Sequence, residues 1–450
     1  MKGFAPMKLW KEIKAWIDFL KNDIWSIKLT SLPRERSLVL RTLRIIILSI
    51  RGFDEDKCQL RASALTFYSL ISIVPVAAMA FGIAKGFGFD KILEKQLREQ
   101  LVGHEEIFEK VITFSHSLLE STRGGLLAGI GIIILFWAVI KVLGQIEDSF
   151  NDIWGIKEHR SMGRRFSDYL SLMLIGPVII ILSSSVNVFI STQLTTITEK
   201  FELLGYISPV LSCLFKILPY CLVWGFFTFL YIFMPNTRVR FTSGLLAGIA
   251  AGTAFQIVQW VYITFQIGAA RYNAIYGSFA ALPLFLVWLQ LSWLIMLIGA
   301  ELSFAHQNVD TYEFEPDSLK VSPHLKLLLT LQITHLIVKN FAGGKPPRTA
   351  GELSHELEIP IRLVNEIIFD LEQAHILSGT NRDDNREPAY QPALDISTLS
   401  IHAVSSALQH RGIETIPFAQ TREFTALSET LRSFSETIEK SPSNLLLKDL

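Results

Sequence analysis

The sequence has few cysteines and little charge. Its three cysteines, Cys58, Cys213 and Cys221, are too few for a disulfide framework, and no C-x-x-C or paired His/Cys spacing indicates a metal site. Charged residues make up 19% of the chain, against about a quarter in soluble globular proteins, and hydrophobic residues reach 50%. This composition excludes a disordered, collagen-like or coiled-coil chain and is typical of a protein with several membrane-spanning helices.

Sequence motifs for energy coupling and secretion are also missing. The chain has no Walker motif and no intramembrane Asp/Glu relay, so nothing in it indicates an ATP-driven step or supports proton coupling. Lys8, Lys11, Lys14 and Lys21 interrupt the first apolar stretches, and we therefore expect no cleavable signal peptide.

Six apolar stretches are long enough to cross a membrane. A bilayer core requires about 20 apolar helical residues, and the only charged residues inside these stretches are Lys141, Lys216 and Glu301. The sequence therefore predicts an all-α, six-helix transmembrane bundle over residues 58–306. The predicted spans are Ser63–Ala84, Gly124–Ile146, Tyr169–Thr192, Pro209–Met234, Phe241–Gln266 and Leu282–Phe304.

Charge is distributed unevenly along the chain. Residues 1–62 hold 13 basic and 7 acidic residues, whereas residues 305–450 hold 13 and 20. The basic loop residues lie mainly on one side of the predicted bundle, and the positive-inside rule places that side and both termini in the cytoplasm. Residues 1–57 form a basic extension that predicts an amphipathic helix at the inner membrane interface, or alternatively one packed on a cytosolic domain.

Two stretches carry a more specific signal. Residues 62–75 read ASALTFYSLISIVP, and residues 272–302 read YNAIYGSFAALPLFLVWLQLSWLIMLIGAEL. Both closely resemble the YihY/BrkB family of bacterial inner-membrane proteins, once described as ribonucleases, as do NDIW at 151–154 and LYIFMPN at 230–236. The resemblance implies six helices with cytoplasmic ends and a proposed role in transport or export of envelope components. It supplies no catalytic residues.

Three groups of polar residues are candidate sites. Near the cytoplasmic ends of the spans, an isolated Glu301 would be costly, so we expect it to pair with Arg61 or a neighbouring cation, or to reach interfacial water. This cytoplasmic mouth comprises Arg61, Glu147, Asp148, Asn151, Trp154 and Glu301. The outer loop before the sixth span offers a lipid-headgroup site, or an aromatic membrane anchor, formed by Arg271, Tyr272, Asn273, Tyr276 and Ser278.

The third group consists of uncharged polar residues inside the spans. They would line an amphiphile path or form hydrogen bonds between helices. The group comprises Thr66, Tyr68, Ser69, Ser72, Asn187, Gln256, Gln259 and Gln290. In the fifth span, Gly244, Gly248 and Gly252 form a doubled G-x-x-x-G ridge, which predicts close helix packing, either static or mobile.

The carboxyl-terminal region has the pattern of a soluble domain. Residues 316–411 predict helices, a break at Ile359-Pro360 and a polar loop, a layout that resembles a winged helix. The helix after the break carries Glu366, Asp370 and Glu372 beside Arg362, so we expect a protein-binding or dimerising module and no nucleic-acid partner. Residues 412–450 are rich in Ser, Thr and Glu and predict a loosely ordered polar tail.

These features favour a carrier or flippase-like exporter of lipids or other amphiphilic envelope components. Its partners would be membrane lipids, and it would need no cofactor. The alternative is a non-transporting scaffold, in which the glycine ridge builds a homo-oligomer and the tail recruits a cytosolic protein. Asp54-Glu55-Asp56 is an acidic cluster without companion metal ligands, so we expect neither ribonuclease nor other enzyme activity.

Overall fold

The structure is a computed structural model, and the chain divides into two units. The apolar unit comprises Ile45–Ile153 and Glu158–Gln307, and the terminal unit comprises Met1–Arg44, Trp154–Lys157 and Asn308–Leu450. The residues described are 33–86, 88, 91–95, 109–115, 117, 125–157, 160, 163–171, 173, 208–270, 281–309, 321–380, 388–412 and 421–450.

Among the described residues, the apolar unit is built mainly from long helices. In chain order they are α1 (Arg34–Glu55), α2 (Cys58–Gly86), α3 (Gly125–Ile153), α4 (Ser208–Phe233), α5 (Phe241–Ala270) and α6 (Ala281–Asn308). Within the described residues, Cys58–Gly86, Phe241–Phe265 and Leu282–Asn308 are long and apolar enough to cross a membrane, and Tyr220–Phe233 is a shorter apolar helix. The first residues of α1 belong to the terminal unit.

The predicted spans and the observed helices largely coincide. α3 continues past the predicted end at Ile146 to Ile153, because polar residues extend a helix beyond the hydrocarbon core where an apolar criterion stops. The predicted third span, Tyr169–Thr192, lies mostly outside the described residues, as does the predicted amphipathic helix before residue 33.

The glycine ridge of α5 packs against α4 of the same chain. The atoms nearest to a Cβ built at Gly244, Gly248 and Gly252 include Ile232 Cγ1 at 2.6 Å, Thr228 N at 2.7 Å and Trp224 Cδ1 at 2.7 Å, respectively. At Gly248 the backbones of the two helices meet directly, and at Gly244 and Gly252 side chains of α4 fill the space that a Cβ would need. The ridge therefore forms a contact within one chain. The scaffold alternative predicted that it forms a contact between chains.

The terminal unit contains a small three-stranded sheet with helices around it. Its elements are α7 (Pro323–Ala342), β1 (Arg348–Thr349), α8 (Ala350–Leu357), α9 (Ile361–Gln373), β2 (Leu377–Thr380), β3 (Ala389–Pro392), α10 (Ile401–Gln409) and α11 (Arg422–Glu439). The strands are antiparallel in the order β1, β3, β2. Ser322 caps α7, and Thr349 with Glu352 forms a capping box on α8.

The carboxyl terminus belongs to the core of this unit. Leu447 is fully buried in the same apolar cluster as Ile333 of α7, and its amide donates to the carbonyl of Leu399 at 2.9 Å. Ser400 and Leu446 pair as an antiparallel bridge. Over the described residues 421–450, the prediction of a loosely ordered tail is therefore wrong, because a single apolar anchor fixes a segment whose overall composition is polar.

We expect Leu447→Ala to destabilise the terminal unit by about 2–4 kcal/mol, because a buried leucine side chain is lost and a cavity is left in its place. Hydrogen exchange of the α7 amides in the full-length protein measures this loss within the terminal unit. Leu450→Ala is the matched control, because Leu450 is exposed. Equal protection of the α7 amides in the two variants would contradict the packing described.

Candidate functional site

Charged and polar side chains gather at one end of the apolar unit, which we call the charged end. α2 and α5 begin there, and α3, α4 and α6 end there. Arg61, in the first turn of α2, forms an ion pair with Asp152 in the last turn of α3. Ser243 Oγ of α5 lies 2.8 Å from His306 Nδ1 near the end of α6. Apolar helix interiors exclude charge, so the charged residues collect where the helices end.

Glu301 is the buried carboxylate of α6. Its Oε1 accepts a weak hydrogen bond from Cys58 Sγ at 3.5 Å, and a Cβ on Gly52 of α1 would lie 2.9 Å from its Cδ. The predicted ion pair between Arg61 and Glu301 is wrong, because Arg61 pairs with Asp152. Glu301 occupies a closed position between α1, α2 and α6, whereas the Arg61 side chain is 31% exposed and lies beside α3.

A second group of buried charges surrounds Glu147, near the end of α3. The Tyr169 hydroxyl donates to Glu147 Oε2 at 2.6 Å, and guanidinium nitrogens of Arg160 and Arg165 lie 3.9 and 3.6 Å from the carboxylate oxygens. The side chains of Glu147 and Arg160 are 0% and 2% exposed. Two cations and a hydroxyl thus offset the cost of burying one carboxylate.

Arg160 connects three segments of the apolar unit. Besides facing Glu147, its Nη1 bonds to Asp168 Oδ2 at 3.1 Å, in the helical segment 163–171. Its Nη2 donates to the carbonyls of residues 233–235 at 2.8, 3.1 and 3.1 Å. These carbonyls lie at the end of α4, where the last carbonyl groups of a helix find no donor within the helix itself. A guanidinium suits this position because it offers several donors and a positive charge.

Most of the predicted mouth residues lie at the charged end. Asn151 Oδ1 accepts from the amide of Asn236 at 2.8 Å, and Asp148 pairs with Arg165 at 3.1 Å. Trp154 is buried and belongs to the terminal unit. The residues placed at the charged end are Arg61, Glu147, Asp148, Asn151 and Glu301.

The sequence did not identify Arg160, Arg165 and Tyr169 as site residues. Both arginines are among the basic loop residues to which the positive-inside rule was applied, and Tyr169 is the first residue of a predicted span. The available signal was spacing: Arg165 and Tyr169 lie four residues apart on one helical face, as do Glu147 and Asn151. Two such faces can meet across a short turn.

Polar residues of α2 and α6 meet along a line that we call the polar seam, formed by Ser63, Thr66, Ser69, Gln290 and Trp293. Thr66 Oγ1 donates to Gln290 Oε1 at 2.9 Å, and Gln290 Nε2 donates to Ser63 Oγ at 3.1 Å. Trp293 Nε1 donates to Ser69 Oγ at 3.1 Å. The predicted lining residues Thr66, Ser69 and Gln290 are therefore hydrogen-bonded across two apolar helices.

The other predicted lining residues are dispersed. Gln259 of α5 accepts from Trp288 Nε1 at 2.6 Å. Tyr68 and Gln256 are half-buried, and Ser72 is buried. Asn187 and the whole predicted outer headgroup site, residues 271–278, lie outside the described residues. No group of three or more His, Cys, Asp or Glu side chains that could hold a metal ion occurs among the residues the structure describes.

In the terminal unit, charged residues of α9 form contacts with other residues of the same unit. Asp370 pairs with Lys326 of α7 at 2.8 Å and with Arg411. Arg362 is buried, and its Cγ would lie 2.9 Å from a Cβ on Gly155. Burial raises the pKa of Asp370, but hydrogen bonds and charge from Lys326 and Arg411 outweigh burial and hold that pKa below its usual value.

We expect the terminal unit to lose stability in acid through Asp370. Because folding lowers its pKa, the stabilisation is complete above the unfolded value of about 3.9 and is lost as the pH falls through the folded value. Burial lowers the pKa of Lys326, but Asp370 and Glu366 raise it overall, so its contribution disappears only as the pH rises through a value above about 10.4. Hydrogen exchange of α7 amides against pH should show a weaker acid dependence in Asp370→Asn, and an unchanged dependence would contradict this assignment.

Long apolar helices with a charged end define an integral membrane protein. Residues 49–322 match the model of the family described as virulence factor BrkB. The chain belongs to this family, which confirms the resemblance to YihY/BrkB proteins.

Named relatives are UPF0761 membrane proteins. The protein from Paraburkholderia xenovorans is 27% identical over 336 residues, which cover 74% of this chain and 75% of the relative. The protein from Acinetobacter baylyi is 30% identical over 348 residues, with coverage of 76% and 79%. The protein from Halorhodospira halophila is 25% identical over 409 residues, with coverage of 89% and 86%. No solved structure matches the chain significantly.

Proposed function

We propose that the chain is an inner-membrane carrier that moves lipids or other amphiphilic envelope components and is not itself driven by ATP. The polar seam is the observation that carries this proposal. Its α2 residues extend over about 9 Å at the helical rise of 1.5 Å per residue. They are uncharged, and they lie between two helices whose outer surfaces are apolar. A polar headgroup could exchange hydrogen bonds with the seam while its acyl chains stay in the lipid.

The charged end supports a gate at one side of this path. Under the positive-inside orientation it faces the cytoplasm. The ion pair of Arg61 with Asp152 joins α2 to α3, and Arg160 joins α3 to the end of α4. An opening between these helices would break the partly exposed Arg61–Asp152 pair and the buried contacts of Arg160, so a closed and an open arrangement would differ in discrete ionic contacts.

Reconstitution in vesicles that contain fluorescent phospholipids tests the proposal. A membrane-impermeant quencher should bleach inner-leaflet label in vesicles with the protein but spare it in protein-free vesicles. The double variant Thr66→Val and Gln290→Leu should slow this exchange. Thr264→Val is the matched control, because Thr264 is exposed and bonds only to the carbonyl of Trp260 in its own helix. Equal bleaching in vesicles with and without the protein would refute lipid movement.

The second candidate is a non-transporting membrane scaffold. Its supporting observation is that Thr66, Ser69 and Gln290 already have hydrogen-bond partners on a neighbouring helix. Such bonds typically contribute about 0.6 kcal/mol each and stabilise packing without any substrate. A scaffold would leave the vesicle assay unchanged while the helices remain stably folded.

For the terminal unit we propose a winged-helix-like module that binds protein. The order of α7, β1, α8, α9, β2 and β3 and the antiparallel sheet support this assignment. Asp370 and Glu366 lie on α9, the helix on which a DNA-binding winged helix would need cations. Phe369 of the same helix is in contact with Lys157, whose Nζ lies 5.2 Å from the ring centroid. Salt-dependent binding of duplex DNA by the purified protein would overturn this proposal.

We also propose that the protein has no ribonuclease activity and needs no cofactor. The acidic triplet at residues 54–56 is not accompanied in the sequence by histidine or carboxylate spacing suited to metal-assisted hydrolysis. Hydrolysis of structured RNA by the purified protein, and its loss when residues 54–56 are neutralised, would overturn this.

A further inference from the structure

α11 carries an exposed apolar stripe along its whole length. Leu427, Leu431, Phe434 and Ile438 are 64%, 66%, 59% and 55% exposed, and Phe424 stands one turn before them. No residue of the helix is buried. The five positions are separated by intervals of three and four residues, the a and d spacing of a coiled-coil seam. The helix therefore has the geometry to pair with another helix of the same spacing.

The bonds that hold α11 on its own unit leave this stripe outside. His402 Nε2 lies 2.9 Å from Ser435 Oγ, and Asn444 Nδ2 donates to the carbonyl of Glu439 at 3.0 Å. Thr421 caps the helix through its side chain. The contact between His402 and Ser435 is polar, so it fixes the position of the helix without burying its apolar side chains.

We propose that the α11 stripe binds α11 of a second copy of this chain as a short coiled-coil pair. Between Leu427 and Ile438 the positions that flank the stripe carry no charge: they are Ser428, Thr430, Ser435 and Thr437, and Glu423 beside Phe424 is the one charged flank. In coiled coils, like charges at these positions oppose self-pairing and select other partners. Along residues 427–438, two identical α11 helices meet no such repulsion in either parallel or antiparallel orientation.

The charges of α11 disfavour a membrane surface as the occupant. The helix has two basic residues, Arg422 and Arg432, and four acidic residues: Glu423, Glu429, Glu436 and Glu439. Helices that lie on anionic leaflets are typically rich in lysine and arginine on their polar face. A net negative helix is repelled by that surface, whereas the flanks that a second copy presents between Leu427 and Ile438 are neutral.

The length of α11 determines where the pair forms. Its 18 residues supply about two and a half heptads, which is marginal for an isolated coiled coil in water. Chains anchored in one membrane meet at a much higher effective concentration than free helices do. The pair therefore belongs to the membrane-embedded protein, and the test uses native membranes.

Photo-crosslinking of the full-length protein tests the proposal. p-Benzoylphenylalanine is introduced at Leu431, which is the midpoint of the stripe and faces its counterpart in both helix orientations. Irradiation should convert much of the protein to a species of twice the 50.8 kDa chain mass, with the crosslink mapped to α11. The same probe at Thr425, on the opposite face, should leave the chain at its single mass. Phe434→Glu should abolish the dimer from position 431, whereas Thr425→Glu should preserve it.

The proposal is overturned by any other crosslinking pattern. A single-mass product that joins position 431 to residues 1–32 would show that the amino-terminal extension covers the stripe. A lipid adduct would assign the stripe to the membrane, and a heterologous mass would assign it to another protein. Equal dimer yield from positions 431 and 425 would show that the copies meet elsewhere. Because none of these results depends on lipid movement, failure here is distinguishable from failure of the carrier proposal.

Discussion

Replacing Arg160 with alanine is expected to lower the free energy of unfolding by about 3–5 kcal/mol, the range observed when one partner of a buried ion pair is removed. The variant loses a cation from beside Glu147, whose side chain is fully buried, and deprives the carbonyls of residues 233–235 of their donor. Thermal unfolding of the purified protein in detergent measures the effect.

Two variants separate charge from position. Arg164→Ala is the matched control in the neighbouring segment: its side chain is 42% exposed and lies 3.8 Å from Asp168, so the loss should stay below about 1 kcal/mol. Adding Glu147→Gln to Arg160→Ala should recover part of the stability, because the double variant no longer buries a carboxylate that has lost one of its cations. If Arg160→Ala were as mild as Arg164→Ala, the role assigned to Arg160 at the end of α4 would be wrong.

Five of the six predicted spans fall on helices that the structure describes, because one physical rule defines such helices. A run of about 20 uncharged residues is readable without knowledge of tertiary contacts. The charged end was predicted only in part. Burial distinguishes Arg160 from the exposed Arg164, and burial depends on where the end of α4 lies. The local sequence around either arginine does not specify where the end of α4 lies.

The prediction that Glu301 pairs with Arg61 failed for a related reason. Arg61 and Glu301 were matched by depth alone, whereas ion pairs also depend on the direction in which each side chain leaves its helix. Gly52 supplies the missing information, because the absence of a side chain there lets α1 approach the Glu301 carboxylate. The sequence of α1 alone does not reveal this role of Gly52, because it depends on where α6 packs. The amino acid that best explains the site is thus one that contributes no functional group.

Gly248→Val is expected to destabilise the apolar unit by roughly 3 kcal/mol or more, because overpacking a close contact forces backbone shifts. Even a Cβ at this position would lie 2.7 Å from the backbone nitrogen of Thr228, which cannot rotate away as a flexible side chain can. The matched control is Gly225→Val in α4, where a Cβ would meet nothing within 4 Å. Its effect should stay within about 1 kcal/mol. Similar unfolding temperatures for the two valine variants would contradict direct backbone contact between α4 and α5.

The ridge and the charged end should also be coupled through α4. Thr228, which faces Gly248, lies little more than one helical turn before the carbonyls of residues 233–235 that accept from Arg160. A valine at position 248 that pushes α4 away would lengthen those bonds, so part of the Arg160 contribution is lost already in Gly248→Val. The double variant with Arg160→Ala should therefore cost less than the sum of the two single variants by about 0.5–3 kcal/mol, the range typical of coupled sites. Strict additivity in detergent unfolding would mean that α4 accommodates the valine without moving its end.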